Sequence, residues 1–276
     1  MRRRTTRLLR CGRRGQHSSR EFVPYHGFFG CGKPPSVGGL VSRSAAETRR
    51  LKNMRFSKRR ADWRLGRWTA KRALACCLGL TSDPTTFAEI EIRPTPSGAP
   101  EAFIAQRLQA LKLSLSHCSG TALCAITLSS ISVGCDLEAA EVRHDAFLTD
   151  YFTDAEQSCV RNSQPSEQWR VLALLWSAKE SALKALQVGL QLDTRLAVVD
   201  LSGTKPSDCS WQPLQVTCPN EKLFVGFHST THQLIRTIVT SPPHQLLIQL
   251  RPPVYRPQAP RSRLLERNEE MDPIQG

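Results

Sequence analysis

Three carboxylates and two lysines between residues 136 and 184 have the types and spacing for phosphate chemistry. Asp136 and Glu138 belong to the run V-G-C-D-L-E at 133–138, and Lys179, Glu180 and Lys184 belong to W-S-A-K-E-S-A-L-K at 176–184. Oxygen-only donors of this kind suit Mg²⁺, a hard ion that keeps several waters and is often completed by substrate phosphates. Ser116-His117 lies a few residues upstream, and hydroxyl and imidazole donors there could hold a pyrophosphate. Taken singly each group is ordinary: a D-x-E at a strand end is usually solvated, and Glu180 with Lys184 is a common i,i+4 helix pair. The functional reading comes from their combination with Gly134, Trp176 and the basic residues upstream.

The elements that must position these groups can be read from periodicity. Ile131, Val133, Cys135 and Leu137 alternate as one face of a strand, so Asp136 and Glu138 emerge together on the other. Thr121–Leu128 reads as the partner strand of a hairpin with Ser129-Ser130 as its turn. A long helix is expected from about Ser166 to Val188, with Leu172, Trp176, Leu183, Leu186 and Leu190 on its buried stripe. Thr153 and Glu156 have capping-box spacing ahead of it. An earlier helix is expected from an Asp62 cap to Leu78, stopped by Gly79, with a shorter one opening at Ala45-Ala46-Glu47. Strands are expected at 88–93, near 111–115, and at 195–201, 214–217, 222–227 and 233–240, with a weak one at 21–25. Trp68-Thr69-Ala70-Lys71 is echoed by Trp176-Ser177-Ala178-Lys179, which raises an internal duplication in which Arg72 stands where the second copy has Glu180.

Charge is distributed unevenly. Residues 1–72 hold 21 Lys/Arg against 3 Asp/Glu, whereas the remainder holds 17 against 21. Such a front is compatible with a solvated tail, a nucleic-acid patch, an organelle-targeting segment or sites for a phosphate-rich ligand. The ten cysteines show no paired metal spacing, which fits a reduced, cytoplasmic setting. No apolar run approaches the ~20 residues that span a bilayer. Nucleophile-elbow, dinucleotide and P-loop signatures are absent, which disfavours serine hydrolase chemistry and the common nucleotide folds.

With these pieces assembled, the sequence resembles the 4′-phosphopantetheinyl transferases, specifically the larger single-chain (Sfp-like) type with two similar halves. The resemblance is carried by Ala46-Glu47 and the basic run to Arg60, W-R-L-G-R-W-T-A-K at 63–71, Gly98-Ala99-Pro100, Ser116-His117, V-G-C-D-L-E and W-S-A-K-E-S-A-L-K. It covers about 45–190, with the strand-rich stretch to about 241 fitting the family's remainder. Cys135 stands where the family usually has a branched aliphatic, Ser114 where an Asn is common, and Ala99 where some members carry a basic residue.

The resemblance implies an α+β fold of two pseudo-symmetric halves, each a long helix packed on a small, mainly antiparallel sheet. Residues 41–128 would form the first half and coenzyme A wall, 129–245 the second half with the metal site, and 1–40 and 246–276 tails. It implies transfer of the 4′-phosphopantetheine arm of coenzyme A to a serine of an acyl or peptidyl carrier protein, as in fatty acid, polyketide or nonribosomal peptide biosynthesis. Asp136, Glu138 and Glu180 would hold Mg²⁺, Glu180 or a water would serve as base, and Lys184 would assist the leaving phosphate. Coenzyme A would be bound by Lys184, Ser116, His117, Gly98 and the cluster Arg49, Lys52, Lys58, Arg59 and Arg60. A monomer without nucleic-acid or membrane partners is expected.

Overall fold

The computed structural model describes residues 27–31, 44–128, 130–202, 211–231, 234–243 and 248–249. The weak strand expected at 21–25 and most of the two expected tails lie outside the described residues.

The first half runs β1 (Gly27–Cys31), α1 (Ala45–Lys52), α2 (Ser57–Leu78), α3 (Pro84–Glu89), β2 (Ile90–Pro94), β3 (Pro100–Ile104), β4 (Arg107–Leu108), β5 (Leu111–Cys118) and β6 (Thr121–Leu128). The second half runs β7 (Ser132–Ala139), α4 (Asp145–Tyr151), α5 (Asp154–Arg161) and α6 (Gln168–Leu186). Two short 3-10 turns follow, then β8 (Val198–Asp200), β9 (Gln212–Cys218), β10 (Lys222–Thr231) and β11 (Leu234–Ser241); a last strand, β12 (Ile248–Gln249), returns to the first half. The sheets are ordered β12-β1-β6-β5, β2-β3-β4 and β7-β11-β10-β9-β8. Among the described residues the ladders are antiparallel except β1 with β12. This is the α+β fold of the resemblance.

The hairpin expected between 121–128 and 131–138 does not form. β6 pairs with β5 on one side and β1 on the other, while β7 pairs with β11 in another sheet. The reason is local. Ser119 and Gly120 both take positive φ, 48° and 73°, the conformation a tight two-residue turn needs. They close β5 onto β6, and β1 takes the remaining edge. The link after β6 therefore crosses between halves. β1 falls inside a segment expected to be a tail because the glycines at 27 and 30 read as breakers, and β12 inside one expected to be a tail because the chain turns Pro- and Arg-rich after Pro242.

The helix stops follow their chemistry. α2 ends at Gly79, left-handed at φ 66°, as its sequence signal indicated. α6 ends earlier than expected, on Gln187 at φ 62°. α2 starts at Ser57, five residues before the expected Asp62 cap, because Lys58, Arg59, Arg60 and Ala61 are all good helix formers.

Each half has its own core. α2 packs Ala70 and Leu74 against Ile90, Ile92, Leu113 and Ile126; α6 packs Leu172, Leu175 and Ala182 against Leu214, Val216 and Phe224. A third cluster, Leu123, Ala125, Val133, Cys135, Leu137 and Ile238, fills the space between the halves. Burying such side chains stabilises by roughly 1.5–3 kcal/mol each.

The duplication suggested by the W-x-A-K echo is visible in the buried polar groups. Lys71, fully buried, donates to Glu47 Oε2 at 2.7 Å and to Phe87 O at 2.7 Å. Lys179, fully buried, is 2.8 Å from Glu156 Oε2 and donates to the Thr194 and Ala197 carbonyls. Glu47 and Glu156 are each the third residue of a capping box, closed by Ser44 on α1 and Thr153 on α5. The ladders agree, since β1-β6-β5 repeats β7-β11-β10. Aligning the two hairpins residue for residue places Gly27, Phe29 and Cys31 at the register positions of Gly134, Asp136 and Glu138.

Candidate active site

β7 and α6 build the acidic part of the site, and Gly134 sets their separation. A Cβ at Gly134 would lie 1.7 Å from the Ser181 carbonyl oxygen and 2.9 Å from the Ala185 amide nitrogen, so only glycine lets the helix approach this closely. The helix side of that contact is made of small residues, Ser177, Ala178, Ser181, Ala182 and Ala185. Thr237 of β11 fastens it, its hydroxyl donating to Ser177 O at 2.8 Å and lying 2.7 Å from Ser181 Oγ. By strand alternation Asp136 and Glu138 share the helix-facing side with Gly134.

The close approach brings Lys184 onto Asp136. Lys184 Nζ donates to Asp136 Oδ1 at 2.6 Å and to Cys135 O at 3.3 Å. Ser116 Oγ, from β5 in the first half, donates to the same Asp136 Oδ1 at 2.8 Å and accepts from Leu137 N at 3.1 Å. Ser114 acts alike, accepting from Cys135 N at 3.0 Å. Two serine hydroxyls thus join β5 to β7 where backbone pairing is missing. Asp136 is 5% exposed, and its other oxygen, Oδ2, is buried with no hydrogen-bond partner.

Glu138 lies at the rim, its Oε1 in an ion pair with Arg143 Nη2. Burial, with Asp136 and Glu180 nearby, outweighs Arg143 and Lys184 and pushes its carboxyl up to about 7. Glu180 is half-buried on α6. Burial and then Asp136 raise its pKa against the opposing pull of Lys184. Burial lowers the Lys184 ammonium, but Asp136, Cys135 and Glu180 together more than offset it, so Lys184 is held above its ordinary value. Glu138 and Glu180 therefore each feel Asp136 as a nearby like charge.

Ser116 and His117 divide their work. As neighbours on β5 they point to opposite faces: Ser116 is buried beneath Asp136, while His117 is exposed and lines a cleft of about 540 Å³ with Phe56, Lys58, Arg59, Asp62 and Trp63. Three of the proposed coenzyme A contacts, Lys58, Arg59 and His117, thus meet in one place. The Trp63 indole N–H is buried there without a partner. Arg49, Lys52 and Arg60 are exposed on α1 and α2 but do not line the cleft. Gly98 sits at φ 88° in the β2–β3 turn, outside it.

Among the described residues no group of three His, Cys, Asp or Glu side chains is gathered closely enough to hold a metal as it stands. The donor set nevertheless fits a hard divalent ion. All three groups are carboxylates, and Asp136 Oδ2 is a buried acceptor without a donor. Sequence reasoning did not find the Arg143–Glu138 pair, the Lys184–Asp136 pair or the Ser116 bond to Asp136. The small-residue spacing along 177–185 was the one signal that α6 could come close enough to make the second of them.

Residues 132–233, from β7 through the end of β10, match the model of the 4′-phosphopantetheinyl transferase superfamily. The matched stretch contains the acid-bearing strand and helix, and it supports phosphopantetheine transfer as the class of chemistry. No curated protein matches the chain. No helix among the described residues is long and apolar enough to cross a membrane.

Proposed function

We propose that this protein transfers the 4′-phosphopantetheine arm of coenzyme A to a serine hydroxyl of an acyl or peptidyl carrier protein, as a single-chain, two-halved member of its superfamily acting as a cytoplasmic monomer. The observation that carries the reading is the Ser116–Asp136–Lys184 knot beside Glu138 and Glu180, with a basic cleft on the other face of β5.

In this reading the cleft receives the nucleotide end of coenzyme A, with Lys58, Arg59 and His117 meeting its phosphates and Phe56 and Trp63 flanking them. Arg49, Lys52 and Arg60 add attraction from the rim, and Gly98 is the most distant member of the proposed wall. Mg²⁺ would be held by Asp136, Glu138 and Glu180, and when bound supplies neutralising charge at the pyrophosphate oxygens. The carrier serine oxygen bonds to the β-phosphorus as the bridging P–O bond breaks, and adenosine 3′,5′-bisphosphate leaves with the electron pair. Glu180, whose raised pKa makes it a stronger base than an exposed carboxylate, takes the serine proton. Lys184, held cationic by Asp136, stabilises the charge on the departing phosphate.

The test is mass spectrometry of a panel of apo carrier proteins incubated with the protein, coenzyme A and Mg²⁺. Gain of the arm's mass is expected on at least one carrier, and none from Asp136→Asn or Glu180→Gln protein that melts like the wild type. Wild-type turnover in either variant would overturn the assignment of the acids.

A further inference from the structure

One cation in the site has no part in the chemistry above. Arg143 lies on the link between β7 and α4, and its guanidinium forms the ion pair with Glu138 Oε1. Its other face is stacked 4.8 Å from the Phe147 ring centroid. Phe147 in turn packs on Tyr151, Phe152 and Trp176 at 5.1, 5.7 and 4.9 Å. Trp176 is one helical turn before Glu180, so Arg143 is tied at one end to one proposed ligand and at the other to the helix carrying another.

We propose that Arg143 is the resident counter-ion of Glu138, which a divalent cation must displace to complete its site, and that Arg143 thereby sets the affinity for the metal. The inference rests on the reading of Asp136, Glu138 and Glu180 as the metal-holding set. The charge arrangement supports it. Asp136 is matched by Lys184 at 2.6 Å and Glu138 by Arg143, so without metal neither strand acid is left unpaired. A divalent ion on Glu138 would face the guanidinium at short range, and two like charges in a half-buried site repel. Arg143 is free to yield: its side chain is 32% exposed against 16% for Glu138, and a cation–π contact of this kind is a weak tether. Lys184 is held at both Asp136 Oδ1 and Cys135 O, so of the two cations Arg143 is the one placed to move.

The experiment is a Mn²⁺ titration of the full-length protein without coenzyme A, following free Mn²⁺ by electron paramagnetic resonance, with melting temperature as a second readout. Arg143→Gln is expected to bind Mn²⁺ roughly 3–10-fold more tightly than wild type, the range for loss of a partly exposed ion pair. It should melt lower without metal and regain the difference at saturation. Arg143→Lys, which keeps the charge but loses the planar fork, should fall between them, and it carries the test if the Gln variant does not fold. Equal or weaker affinity in Arg143→Gln, or in Arg143→Lys where only that variant folds, overturns the proposal alone. Absence of a saturable, Asp136→Asn-sensitive site in the wild type overturns the metal reading and this proposal with it.

Discussion

Ser116 commits its only proton to Asp136 while its lone pair serves Leu137 N. Ser116→Ala therefore removes an aiming contact and a buried acceptor together, and should cost about 1–3 kcal/mol of stability. Turnover should fall about tenfold or more with the Michaelis constant for coenzyme A little changed, the signature of an interaction that matters in the transition state; steady-state kinetics decide it, and a loss confined to coenzyme A affinity would return Ser116 to phosphate binding. Lys184→Ala should likewise lower turnover more than affinity. A separate residue reports on pH. His228 is buried on β10, and desolvation, then Arg170, lowers its pKa to about 4. Because the unfolded chain takes up that proton near the ordinary value and the folded one resists it, stability present above about pH 6.5 should decline as pH falls toward 4. Urea midpoints at pH 7 and pH 5 should differ less in His228→Gln than in the wild type. At this scale the sequence was most legible where chemistry followed spacing: Asp136 with Glu138 from the period of two, and Glu180 with Lys184 from one helical turn. The partners of Asp136 come from 20 and 48 residues away, and no local pattern announces such contacts.

In each half a short helix is fastened to the long one by a buried ion pair. α1 and α5 are short helices of 8 residues, too short to be stable alone, yet each holds a capping-box glutamate against a lysine buried in the long helix of its half. Breaking a buried pair by removing one partner leaves an uncompensated charge, which typically costs about 3–5 kcal/mol. Lys71→Met should lose that much in urea unfolding, and Glu47→Leu added to it should recover most of the loss, since apolar replacement of a whole pair is often nearly neutral. Failure of the double variant to recover would mean that Glu47 acts mainly as the α1 cap. The long helices were legible because their apolar stripes repeat at 3.6 residues. The strand at Gly27–Cys31 was not, because two glycines in five residues contradict strand propensity. Its place follows only from the ladder with β6, which has no signature in sequence.

The whole molecule divides its labour between halves. The second half carries the acids and the superfamily match; the first carries the cleft lined by Lys58, Arg59 and His117 and, through Ser114 and Ser116, the hydroxyls that join the two. Removal of residues 1–31, which strips β1 from β6 and leaves β12 without its partner, should lower the melting temperature well below that of a chain lacking only residues 1–26. Equal melting of the two truncations would show that β1 adds nothing to stability.

The paired registers have a further consequence. Position for position, the first half presents Phe29, Cys31, Arg72 and Cys76 where the second presents Asp136, Glu138, Glu180 and Lys184. The first half thus repeats the strand order and register of the second without its acids. In the joined chain the acids stand in one copy, and an arginine stands at the matching helix position in the other.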